Sequence, residues 1–110
     1  MIRIIHGENT VKSREKLHEL ASDYVESGST VVRIDGKQLD EKLLEEYLGS
    51  QELFITQKAF IIEELHSLPV SKKRTALIQK ITEEQTHDVV IWEKKTLTAK
   101  MISAFPRPEV

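Results

Sequence analysis

Four short apolar runs punctuate the chain: "IRIIH" (2–6), "TVVRID" (30–35), "KAFIIE" (58–63) and "DVVIWE" (88–93). Each is rich in Ile, Val or Phe and predicts a β-strand. "FII" and "VVIW" are apolar at successive positions, not alternate ones. Such strands are buried on both faces, as in a parallel sheet covered by helices on each side. Between the runs the apolar period lengthens to that of a helix. Leu17, Leu20, Ala21, Tyr24 and Val25 follow i, i+3, i+4, i+7, i+8 spacing. Asn9 or Thr10 is placed to cap that helix, and Gly28 to end it. Leu43, Leu44, Tyr47 and Leu48 mark a second helix, between a cap at Asp40 and a stop at Gly49. Leu77, Ile78 and Ile81 mark a third, with Ser71 as cap. Leu97, Met101, Ile102 and Phe105 mark a fourth, capped by Thr96 and ended before Pro106. Strands alternating with helices predict an α/β fold with right-handed crossovers.

The 110 residues suit one small domain, spanning 1–110, with no repeats, linkers or low-complexity tracts. The chain stops where a further strand is expected. With 39% hydrophobic and 31% charged residues it reads as a water-soluble domain. The absence of cysteine excludes disulfides and thiolate metal sites. No apolar run approaches the roughly 20 residues needed to cross a bilayer, and Arg3 interrupts the short apolar N-terminus. A cytoplasmic location without a membrane partner is expected. Net charge is −2, but unevenly spread. Residues 1–70 hold 8 Lys/Arg against 13 Asp/Glu, whereas residues 71–110 hold 8 against 5. Lys72, Lys73, Arg74, Lys94 and Lys95 are the basic spots, which leaves a DNA-binding reading open.

The stretch "IIHGENTVKSREKL" (4–17) resembles a phosphate-binding loop, G-x-x-x-x-G-K-[ST], between a strand and a helix. Its context fits and its letters do not. Counted from Gly7, the second glycine belongs at residue 12, where Lys12 stands, followed by Ser13. That glycine lets successive N–H groups curl around phosphates. Gly7, Asn9, Lys12 and Ser13 therefore form a degenerate loop that is not expected to hold nucleotide. Glu63 and Glu64 end the third strand, where a P-loop enzyme carries its acidic Mg²⁺ ligand and base. His6, His18, His66 and His87 lack metal-ligand spacing such as H-x-x-x-H, so no metal or other cofactor is expected. Ser13, Ser27, Ser29 and Ser67 have no nucleophile context, and Trp92 reads as core. No catalytic constellation emerges, so the expected role is not enzymatic. Leu53 and Phe54, large and adjacent after Gly49, form either a cover for the sheet end or an exposed wedge for a partner's pocket.

The ordered set "IIHGEN…SREKL", "VVRIDGKQLD", "LGSQELFITQKAFIIEEL" and "VVIWEKKTLTAK" resembles the N-terminal domain of the DNA polymerase III delta subunit, over Ile2 to Phe105. Its most specific part is S-x-x-L-F before an apolar strand. That family supplies the clamp-loader subunit that binds and opens the sliding clamp in DNA replication. The resemblance implies an AAA+-like, P-loop-NTPase-type three-layer sandwich with a degenerate nucleotide site. It also implies strand order 1-4-3-2, with a fifth strand beside the first. The family's clamp-contacting pair falls on Leu53 and Phe54. The position three before the leucine, where clamp-binding peptides carry glutamine, holds Ser50, with Gln51 one later. Implied partners are the clamp, the other clamp-loader subunits through further domains, and DNA indirectly. An NTP-binding P-loop protein is the other alternative.

Overall fold

The computed structural model describes residues 2–7, 9–49, 58–68, 71–83 and 87–105. The strands are β1 (Ile2–His6), β2 (Thr30–Asp35), β3 (Lys58–Glu63) and β4 (Asp88–Glu93). The helices are α1 (Thr10–Glu26), α2 (Glu41–Gly49), α3 (Lys72–Glu83) and α4 (Ala99–Ser103). The four strands form one all-parallel sheet in the order β1-β4-β3-β2, so this is an α/β domain of the predicted strand order.

That order dictates the layers. The chain crosses the whole sheet from β1 to β2, then returns one strand at a time through β3 to β4. Crossovers of one hand running in opposite directions must place their helices on opposite faces. Accordingly, among the described helices, α1 alone covers one face. Leu17 and Leu20 pack there on Ile61, Val90 and Trp92. The other face carries the larger core, in which Leu44, Leu77, Ile81, Leu97 and Phe105 meet Ile4, Phe60, Ile62 and Ile91. Ile61 and Ile62 are neighbours in β3 and belong to opposite cores, which is why the run is apolar without alternation.

The helix ends follow local chemistry. Asn9 caps α1, its side chain accepting from the Lys12 N–H at 3.2 Å, so Thr10 is the first helical residue. At the other end Gly28 adopts φ +89°, with Gly28 N–H bonded to Val25 O and Ser29 N–H to Tyr24 O. This paired pattern closes a helix through a residue that glycine alone occupies without strain. Asp40 and Ser71 accept from Leu43 N–H and Arg74 N–H and cap α2 and α3.

Two expectations need correction. Val25 is 62% exposed, because it lies about 80° around the helix from Leu17 and turns off the buried stripe. The cap of α4 is Thr98, not Thr96: its hydroxyl accepts from the Met101 N–H, and Leu97 and Phe105 are buried just outside the helix bounds. Two single 3₁₀ turns, Gly36–Gln38 and Leu65–Ser67, follow β2 and β3 and were not foreseen. They touch so closely that a Cβ on Gly36 would lie 2.6 Å from the Leu65 backbone nitrogen. Glycine is required there for backbone approach.

Candidate functional site

In an open parallel sheet the chemistry gathers at the carboxyl ends of the strands, near the point where the crossover direction reverses. Here that point lies between β1 and β4: the chain leaves β1 towards the α1 face and leaves β4 towards the opposite one. The register aligns His6 with Glu93, Trp92 with Glu63, and Glu63 with Asp35. The last residues of β2, β3 and β4 are thus all acidic.

Each of these carboxylates is already engaged by the chain itself. Asp35 accepts from the Lys37 N–H at 3.0 Å. Glu63 accepts from the Arg14 guanidinium at 2.6 Å. Glu64 lies 2.8 Å from Lys37 Nζ and 3.2 Å from Lys94 Nζ. The hydrogen bond from Lys37 holds the Glu64 carboxyl below the usual carboxylate range, partial burial works the other way, and Lys94 adds to the lowering. Glu64 also has a left-handed backbone, φ +61°, with its N–H donating to Trp92 O. Glu93 is buried and accepts from the His66 backbone N–H at 2.7 Å.

The stretch that resembles a phosphate-binding loop is filled in the same manner. Gly7 has φ +134°, a conformation suited to glycine. Lys12 sits inside the first turn of α1 with its N–H held by Asn9. Ser13, which follows Lys12 as a hydroxyl residue follows lysine in the motif, is buried against the sheet. Its hydroxyl donates to Thr10 O and accepts from Trp92 Nε1 at 3.1 Å. Arg14, next in sequence, stacks its guanidinium 4.1 Å from the Trp92 ring centroid while bonded to Glu63. A cation of the chain thus bridges the loop and the acidic end of β3. Trp92 is 3% exposed, as its reading as core requires, but it also tethers the loop.

Leu53, Phe54, Ser50 and Gln51, the residues assigned to partner contact, lie outside the described residues. Of the basic positions, Lys72, Lys73, Lys94 and Lys95 are exposed and Arg74 is half-buried. Arg74 donates to His66 O and Leu68 O and so helps to hold the turn after β3. His66 is what the sequence reading missed. It meets Glu93 across 27 residues of chain, and no short motif reports such a pairing. Among the described residues, no group of three or more His, Cys, Asp or Glu is placed to hold a metal ion. No helix there is long and apolar enough to cross a membrane. Comparison of the chain with protein-family models, with curated proteins and with solved structures finds no match.

Proposed function

We propose that this chain is a non-catalytic, AAA+-like domain that grips a sliding clamp and helps to open it, as the resemblance to the delta subunit of DNA polymerase III implies. The observation that supports it is the self-filled loop. The four parallel strands run in the order that the resemblance implies, and beside them the Asn9 cap, the Arg14–Glu63 pair and the Ser13–Trp92 bond use up the polar groups of the loop-like stretch. A domain that neutralises its own acidic strand end with arginine has no use there for a nucleotide-bound cation. Its remaining role is to present a surface. Leu53 and Phe54 supply that surface in this reading, with Ser50 and Gln51 on its polar side. Burying two such side chains contributes roughly 1.5–3 kcal/mol each. Clamp opening follows only if the domain binds the open form better than the closed one.

Two measurements test the proposal. Pull-down and titration with the sliding clamp of the same organism should show binding, and Phe54→Ala should weaken it by about 2 kcal/mol or more, roughly thirty-fold. The melting temperature should stay close to that of the parent chain. Unchanged clamp affinity in Phe54→Ala would remove that residue from the contact, and no binding by the parent chain would end the proposal. Calorimetric titration with Mg-ATP should give no heat at millimolar nucleotide. A dissociation constant in the low micromolar range would instead favour an NTP-binding protein.

A further inference from the structure

A cleft of about 400 Å³ lies between α3 and α4 and includes none of the residues assigned to the clamp contact or to the loop-like stretch. Ile78, Met101 and Ala104 give it an apolar side. Arg74, Lys100 and Thr98 give it a polar one. No carboxylate lines it among the described residues, whereas the smaller cavity that shares His66 and Met101 with it contains Glu93.

Arg74 is half-buried and held in place by its own turn. Its Nη1 donates to His66 O at 3.5 Å and to Leu68 O at 3.1 Å. Those bonds fix the guanidinium plane and occupy one nitrogen. The Nε and Nη2 edge, which can grip an oxyanion through two parallel hydrogen bonds, has no partner among the described residues. Lys100 is exposed and meets no described carboxylate. The Thr98 oxygen accepts from the Met101 N–H and keeps its own O–H to donate. In a chain with 18 Asp and Glu residues, two cations beside one apolar cleft are thus left without a counter-charge. We propose that this cleft binds a small phosphate monoester with an apolar body. The free edge of Arg74 takes two phosphate oxygens, Lys100 and Thr98 take the third, and the body lies on Ile78, Met101 and Ala104. Phosphate fits better than carboxylate, because a monoester carries nearly two negative charges and three acceptor oxygens at neutral pH. The volume falls within the roughly 300–1,000 Å³ of small-molecule sites. A nucleotide, with a polar sugar next to its phosphate, suits the apolar side poorly.

The test titrates phenyl phosphate into the isotope-labelled full chain and follows the backbone amide resonances. Saturable shifts should centre on Thr75, Ile78, Thr98 and Met101. Inorganic phosphate, which lacks the ring, should bind weaker by about tenfold or more. Lys100→Glu changes an exposed side chain, so it should melt with the parent and bind phenyl phosphate severalfold weaker. Arg74→Lys keeps the charge, loses the two-point grip and should also bind weaker. Its melting temperature shows whether the turn after β3 stays intact, and Lys100→Glu carries the test alone if it does not. No saturable shift at millimolar phenyl phosphate would overturn the proposal, as would undiminished binding by Lys100→Glu. Equal affinity for inorganic phosphate would overturn the apolar body. Shifts centred on Lys94 and Lys95 would overturn the assignment to this cleft and move the anion to the smaller cavity.

Discussion

At the scale of single residues, the hydroxyl of Ser13 does more than its place in a phosphate-loop-like stretch suggests. It gives the indole N–H of Trp92 its acceptor, in a region where neither side chain reaches bulk water. Ser13→Ala leaves that N–H buried and unpaired, which costs about 1–3 kcal/mol. Chemical denaturation should show this loss, and should show it shrink when Trp92 is already phenylalanine, because the orphaned donor is then gone. A loss unchanged in the Trp92→Phe background would mean that the hydrogen bond is not its source. Gly36 is the other residue whose role is backbone deep, because the close turns after β2 and β3 leave no space for a side chain. The sequence shows a glycine there but not its neighbour, since Leu65 is brought up only by strand pairing.

At the scale of elements, every strand lies where its apolar run stands in the sequence, because continuous runs of β-branched and aromatic residues have few other uses in a charged chain. The four helices were legible for the same kind of reason, through their 3.6-residue stripes. What escaped were features with no period: three-residue turns, the choice between Thr96 and Thr98 as cap, and Arg14 reaching Glu63 from 49 positions away. The candidate site was legible only as a loop with the wrong letters. That its donors are consumed internally needed coordinates. The ends of β2, β3 and β4 are tied through Glu64, which Lys37 and Lys94 approach from the turns beyond β2 and β4. A carboxyl whose folded value is depressed stabilises the fold above its ordinary value of 4.5, and that contribution disappears as pH falls through the lower folded value. Glu64→Gln should therefore be less stable than the parent at neutral pH, with the two converging in acid below about pH 4.5. Parallel stability curves across that range would show that the ion pairs contribute nothing.

At the scale of the whole molecule, every pair of neighbouring strands is parallel, and hairpins are absent from the described sheet. β2, β3 and β4 pair through successive crossovers, whereas among the described strands β1 pairs only with β4, as in Ile2 opposite Val89. Closing so long a loop costs entropy before any contact repays it. Docking of β1 is thus the expected late step. Ile4→Ala, at a position 2% exposed, should cost about 2–5 kcal/mol. Nearly all of that should appear as faster unfolding in stopped-flow measurements, with the refolding rate little changed. Equal slowing of refolding would place β1 in the nucleus.

The same pairing has a consequence during synthesis. Of the four described strands β1 leaves the ribosome first, and its partner in that sheet is made 87 residues later, Val89 after Ile2. At roughly 5–20 residues per second the first strand waits several seconds, apolar and unpaired, before β4 exists to receive it. Arg3, the second residue of "IRIIH", then acts during the wait. A positive charge within an otherwise sticky segment discourages it from pairing with another nascent copy.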